Sequence, residues 1–388
     1  MSLSTEFVPY ARPSIGREEE EAILEVLRSG WLTTGKAARA FEEEFAAFVG
    51  APQALAVNSA TSGLHLALEA LGVGPGDTVV TSPYTFVSTA AVARHLGAEV
   101  LFCDIGKDDY NIDPDKLETL LKGKKIKVVL PIHISGYPCK MRQILEVCDR
   151  ANAFVVEDAA HAFPLRIGEG FAGRLGNVGV YSLYANKTIT SGEGGMIVAR
   201  DPKILKRMAL MRSHGFDRDA WDRYTSTKPA WFYDVVEAGY KYNLPDLLAA
   251  LGREQLKKAD RFLKERKSIA DRYLVAFAGH PALENPPYHP AHSWHLFSLR
   301  IKPEALRINR DQFIEKLFSR GIGTSVHFIP LHTMKYWSER YGLSPEDYPE
   351  ALAKFRTTLS LPIWQGMSDD AVSMTIQAVI ETADEHRS

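Results

Sequence analysis

The sequence predicts an α/β protein with a large, mainly parallel sheet and a smaller α+β domain behind it. Through the first 250 residues, short apolar runs alternate with amphipathic stretches, the order that stacks helices on both faces of a parallel sheet. Past that point one long amphipathic stretch leads into polar–apolar alternation of the kind antiparallel strands show. A chain of 388 residues is also long enough for two domains, which the pattern places at 1–250 and 251–388.

Residues 16–28 carry apolar side chains at 23, 24, 26 and 27 among glutamates, an amphipathic helix stopped by Gly30, with Glu18 to Glu21 read as its solvated face. In the following SGWLTTG, Trp31 and Thr33 either face a ligand or pack the loop onto the body. A second helix spans 41–49. Strand 54–57 runs into Asn58-Ser59-Ala60-Thr61-Ser62-Gly63, which opens a helix to about residue 71. Small hydroxyl residues at a helix start suit an anion, although serine and threonine are also ordinary N-caps. Strand 78–82 leads into SPYTFVST, where Tyr84 and Phe86 lie just past the strand end. Strands at 100–103, 127–131 and 154–157 and helices at 114–121 and 141–152 continue the alternation; His133 reads as a core histidine. Strands 178–183 and 196–198 flank a glycine-rich turn, and a helix follows at 202–212. Residues 219–239 read as an aromatic, polar loop. One long helix is expected over 256–277, strand-like alternation over 292–301 and 321–337, and a final helix after SLPIW.

Composition narrows the class. Apolar content of 45% and charged content of 24% are ordinary for a globular enzyme, and 46 basic against 48 acidic residues leave a net charge of −2. No basic excess points to nucleic acid, and no apolar run is long enough to span a membrane. Cys103, Cys139 and Cys148 have neither metal-ligand spacing nor an even pairing pattern, so reduced thiols and the cytoplasm are expected. The first residues lack the charged start and apolar core of a signal peptide. No metal is expected.

Chemistry concentrates in two stretches. YSLYANKTITSGEGG (residues 181–195) places one lysine, Lys187, between an apolar strand and a glycine-rich reversal. Alone, it reads either as a solvated loop lysine or as a half-enclosed amine kept neutral by burial and able to attack a carbonyl. FVVEDAAHA (residues 154–162) ends a strand in Glu157 and Asp158, and the carboxyl ends of parallel strands open on the crevice where such sheets bind ligands. An aspartate there is often an N-cap or a structural ion-pair member. Paired with Lys187 one strand excursion later, it matches the needs of pyridoxal phosphate. The lysine forms the Schiff base, and the aspartate keeps the ring nitrogen protonated so that the ring can accept electrons. His161 would orient Asp158 or pack near the ring.

EDAAHA followed by YSLYANKTITSGEGG resembles the DegT/DnrJ/StrS family of sugar aminotransferases, and further motifs keep the family's order across residues 8–383. The resemblance implies a fold type I, aspartate-aminotransferase-like enzyme dependent on pyridoxal phosphate, built as a homodimer with a shared active site. It implies Lys187 as the catalytic lysine, with Thr61, Ser62 and Ser182 on the cofactor phosphate and Phe86 stacked on the ring. GYKYNLPDLLAALG (residues 239–252) is similar to a family segment whose asparagine reaches the other subunit's phosphate. Here Lys241 stands at that asparagine and Asn243 at an arginine, so the carry-over departs from the pattern. Trp31, Thr33, Tyr84, His327 and His332 match positions at the substrate entrance and crevice. K-Y-N, HSWHLF and HTMKYW are similar to the branch that makes UDP-4-amino-4-deoxy-L-arabinose.

The expected reaction carries an amino group from glutamate, released as 2-oxoglutarate, to a nucleotide-linked 4-keto sugar for lipopolysaccharide or other glycan. Alternatives on the same fold are a 3-keto-sugar aminotransferase, a non-catalytic pyridoxal-phosphate sensor, and a sugar 3-dehydratase. The last branch has histidine where Lys187 stands.

Overall fold

Alternate residues of a strand point to opposite faces, and the central strands here are apolar on both, so both faces must be covered. The computed structural model describes residues 7–168, 170–218, 227, 229 and 231–388. In chain order, the first elements are α1 (Arg17–Ser29), α2 (Lys36–Val49), β1 (Leu55–Val57), α3 (Ala60–Ala70), β2 (Thr78–Thr81), α4 (Ser88–His95) and β3 (Glu99–Phe102). They continue with α5 (Pro114–Leu121), β4 (Val128–Leu130), α6 (Met141–Arg150), β5 (Phe154–Asp158), and a short ribbon of β6 (Arg166–Ile167) and β7 (Gly170–Phe171). After β8 (Val178–Ser182), β9 (Gly195–Ala199) and α7 (Pro202–Met211) come α8 (Asp246–Lys257) and α9 (Ala259–Phe277). The C-terminal part holds β10 (Leu283–Glu284), β11 (Phe297–Ile301), α10 (Arg310–Ser319), α11 (Lys335–Tyr341), α12 (Pro349–Thr357), β12 (Thr358–Leu361) and α13 (Asp369–Glu385).

Seven strands form the main sheet in the order β1-β9-β8-β5-β4-β2-β3, and β9 alone runs antiparallel to the rest. The protein is therefore α/β with a mainly parallel sheet. On one face Val57, Val180 and Ile197 meet Leu64, Leu68 and Met208 of the helices above. On the other, Ala56, Tyr181 and Met196 meet Phe41, Phe45 and Ala249. Each fully buried phenylalanine contributes about 1.5–3 kcal/mol relative to exposure. Gly63 lets α3 lie close on the sheet, since a Cβ there would come 2.7 Å from Val180 Cγ1.

The C-terminal sheet, β10-β11-β12, is antiparallel and packs with α9, α10 and α13 around Tyr273, Trp294, Phe297, Phe313 and Val379. Val8 joins this core and pairs with Ile322. Among the described residues, no helix is long and apolar enough to cross a membrane.

Three expectations about elements need correction. The long helix is two, α8 and α9, meeting at Lys258, whose amine reaches Glu18 and Glu19 of α1 at 3.1 and 2.8 Å. Apolar spacing continues through the junction, so periodicity held no sign of it. Glu19 is not on a solvated face: it is fully buried and bonds Gly16 N–H, Gln255 and Lys258. Only residues 297–301 of 292–301 form a strand, and 321–337 holds isolated bridges, a 3-10 turn at Leu331–Thr333 and the start of α11. Pro330 has no N–H for a ladder, which ends strand pairing there. The expected aromatic loop at 219–239 lies partly outside the described residues; of its described part, 231–236 exposes Trp231, Phe232 and Val235.

Candidate active site

The carboxyl ends of β1, β2, β5 and β8 converge on one cavity of about 450 Å³. Each parallel strand delivers its next residues to the same edge of the sheet, which is why ligands collect there. Glu157 and Asp158, adjacent on β5, separate by the strand's two-residue period. Asp158 faces the cavity. Glu157 turns away and is fully buried, accepting from His133 Nε2 (3.0 Å) and the backbone N–H groups of Gly173, Leu175 and Gly176 (2.9, 2.6 and 2.6 Å).

Asp158 Oδ2 accepts from Thr89 Oγ1 at 2.9 Å, and Oδ1 from the Ala160 N–H at 3.0 Å. Burial pushes its carboxyl above the ordinary range; those two bonds and the positive charge of Lys187 pull the other way. Lys187 follows β8 in a turn, with its Nζ 3.4 Å from His295 Nε2. Burial brings the amine down to about 7, Asp158 resists, and the Arg266 charge adds to the fall. A buried carboxylate poised for a cation and an amine near neutrality thus open on one space.

The rest of the cavity is aromatic and small-polar. His161 stacks on Phe328 at 5.7 Å between centroids and lies 4.4 Å from the His295 ring. The Ser135 N–H donates to His161 Nδ1 at 3.3 Å, so the ring's own proton sits on Nε2. His327 bonds Ser360 Oγ through Nδ1 at 2.9 Å and is held down to about 4 by burial and by Lys187. Phe86 lines the mouth, half exposed, its ring 5.9 Å from Phe328. Ser59, Ala60 and Thr61 head α3, where the first N–H groups have no helical partner, and Ser182 lies beside them. Gly195 permits this approach, because a Cβ on it would sit 2.8 Å from Ala60 N.

Of the residues singled out from sequence, Lys187, Asp158, His161, Ser182, Thr61, Phe86 and His327 line this cavity, and the others do not. Ser62 points away: its hydroxyl donates to Asn58 Oδ1 at 2.6 Å, while Ser59 both caps the helix and lines the cavity. Tyr84 is fully buried beside Tyr110 and donates to the His327 carbonyl at 2.8 Å. His332 is likewise buried, donating from Nε2 to the Pro345 carbonyl at 2.9 Å. Trp31 Nε1 donates to the Thr34 carbonyl at 3.3 Å, and Thr33 is exposed on the same loop. Asp246 fastens that loop through the N–H groups of Gly35, Ala37 and Ala38. Lys241 is exposed, and Asn243 donates to Thr34 Oγ1 at 2.6 Å. Neither reaches the cavity of its own chain.

Thr89 and His295 escaped the sequence reading. A threonine inside a helix carries no functional signal, and His295 comes from a part of the chain far from Lys187. Its Nδ1 is buried with no partner among the described residues. Among those residues, no group of three or more His, Cys, Asp or Glu side chains could hold a metal ion.

The donor set fits pyridoxal phosphate. Asp158 could accept from a ring nitrogen, Lys187 offers an amine for its aldehyde, and the head of α3 with Ser182 could cradle its phosphate.

A family model described as the DegT/DnrJ/EryC1/StrS aminotransferase family matches residues 13–380. The chain is 44% identical over 376 residues to the spore coat polysaccharide biosynthesis protein SpsC of Bacillus subtilis, covering 96% of each. Among solved structures it resembles Spr1654 of Streptococcus pneumoniae, assigned as a sugar aminotransferase, in its PLP form (28% identity, TM-score 0.90, 98% and 99% covered). Helicobacter pylori PseC, an aminotransferase involved in pseudoaminic acid biosynthesis, superposes equally well (28%, TM-score 0.90, 98% and 100%).

Proposed function

The chain belongs to the DegT/DnrJ/EryC1/StrS aminotransferase family of pyridoxal-phosphate-dependent sugar aminotransferases, and from that premise we propose that it aminates a nucleotide-linked 4-keto sugar with glutamate as donor. The observation that carries this reading is the opening of Lys187 and Asp158 on one cavity, the amine held near 7 by burial. The product is an amino sugar for lipopolysaccharide or another glycan, and the similarity to SpsC supports a polysaccharide destination.

When bound, pyridoxal phosphate supplies a carbonyl that carries the amino group and a conjugated ring that holds the electron pair released at the reacting carbon. Lys187 Nζ would hold it through that carbonyl, and is the amine placed to take a proton from the reacting carbon and return it. An amine near neutrality suits both directions, since it is neither fully protonated nor a weak base. The Asp158 carboxylate, oriented by Thr89 and the Ala160 N–H, would accept the ring nitrogen's proton. Ser59, Thr61 and Ser182 would hold the phosphate, and Phe86 and His161 would screen the ring from water.

The cavity draws on both parts of the chain, which we take as units 1–250 and 251–388: His295, His327 and Phe328 come from the second. Lys241 and Asn243, outside their own cavity, serve the cavity of the other subunit in a homodimer. Three buried free thiols suit a cytoplasmic enzyme.

The test is an absorbance titration of the purified protein with glutamate. Loss of the visible band with release of 2-oxoglutarate, and its return on adding a nucleotide-linked 4-keto sugar, is the expected result. A band untouched by glutamate overturns the donor; a band restored only by 3-keto sugars overturns the acceptor.

A further inference from the structure

Arg266, on α9, is 1% exposed, yet no carboxylate pairs with it among the described residues. Among the described residues its hydrogen bonds go to neutral oxygens. Nε donates to Gln365 Oε1 at 3.1 Å, and Nη1 is shared among the carbonyls of Trp294 (3.2 Å), His295 (3.2 Å) and Ile363 (3.0 Å). Burial depresses the guanidinium to about 10, with the Tyr10 phenol opposing the fall. Burying an unpaired cation is costly, and a structural clip between α9 and the C-terminal sheet needs no charge. Its position gives the charge a use.

Two of the three carbonyls it holds belong to Trp294 and His295. Trp294 has φ 52°, a left-handed conformation that a bulky residue adopts only when its surroundings impose it. On the other side, the Ser293 N–H donates to the Gly136 carbonyl (3.0 Å) and the Ser293 hydroxyl to the His161 carbonyl (3.1 Å). This clamped turn presents the His295 ring to Lys187 Nζ. We propose that Arg266 is a positioning residue for the Lys187 amine, fixing the His295 ring against it and placing an uncompensated positive charge behind the pair.

The inference rests on Lys187 being the amine that carries the cofactor. Seven other titratable groups face that amine or its cavity: Asp158, His161, Tyr184, Glu193, His295, His327 and Arg266. Burial keeps all three histidine rings below their ordinary range, so they add no positive charge near pH 7. Asp158 attracts a proton to Lys187 and Arg266 repels it. Once Asp158 is matched by a ring nitrogen's proton, Arg266 is the charge left to favour the unprotonated state.

The experiment is a pH titration of the visible absorbance of the holoenzyme, which reports protonation of the nitrogen that Lys187 contributes. Arg266→Met removes the charge and keeps much of the volume; it is expected to raise the midpoint by about one pH unit, tenfold in proton affinity. Arg266→Lys restores the charge without the planar fork, so its midpoint returns to the wild-type value while kcat falls several-fold and the KM for glutamate holds. An unchanged midpoint in a cooperatively unfolding Arg266→Met protein overturns the inference. Where that variant does not fold, a wild-type kcat in Arg266→Lys overturns it instead. A wild-type holoenzyme with no visible band overturns the proposed function beneath it as well, whereas a normal band with an unmoved midpoint removes only the role of Arg266.

Discussion

Replacing Thr89 with valine takes one hydrogen-bond donor from Asp158, and also the 2.9 Å partner of the buried Thr85 hydroxyl. The residue is fully buried, valine has nearly its shape, and the lost O–H lies 2.9 Å from Asp158 Oδ2. A hydrogen bond to an ionised group contributes about 1.5–3 kcal/mol, or about one to two pH units in the carboxyl's proton affinity. The direction is upward, since burial already raises Asp158 and the donor that opposed it is gone. A carboxyl raised by this amount is more often protonated itself and less often the anion that a ring nitrogen's proton needs, so the glutamate half-reaction should slow about 10- to 100-fold. The assay is a single-turnover stopped-flow measurement on holoenzyme across pH. The cofactor band should remain, and the deficit should shrink as pH rises and Asp158 ionises regardless. A valine variant as fast as wild type at every pH, with cofactor retained, would refute the idea that Thr89 holds Asp158 in its working state.

Lys187→Met should make the cofactor-free protein more stable than wild type near pH 7 and less different near pH 10. The folded amine is depressed from 10.5 to about 7, so its stability contribution is present above 10.5 and is lost as pH falls through 7; thermal unfolding at several pH values reads this. Glu157→Gln should cost about 3 kcal/mol or more in denaturant unfolding, because its new NH2 group faces backbone donors instead of accepting from them. Gly195→Ala should cost about 1–3 kcal/mol and weaken cofactor retention, since the new Cβ meets backbone at Ala60 that has little room to retreat; equilibrium dialysis alongside unfolding checks both effects.

Local chemistry explains which site residues were legible. Lys187, Asp158 and Ser182 sit at or just past strand ends, and Thr61 heads a helix, so strand and helix rules carry them to one edge of the sheet. Ser62 neighbours Thr61 but turns toward Asn58, a choice made by helix rotation that composition does not encode. Tyr84, two residues from Phe86, is drawn into the core with Tyr110, while Phe86 stays at the mouth. Motif position could not separate them.

From the sequence by itself come the alternation that builds a mainly parallel sheet, the lysine and aspartate at its strand ends, and the family motifs in order. These depend on neighbours a few residues apart, whose spacing is written in the chain. The pairing of Lys187 with His295, the bond from Thr89 to Asp158 and the unpaired Arg266 beneath them were decided only by tertiary structure. Each joins residues far apart in the chain, and burial, which sets their charges, exists only once those segments pack together.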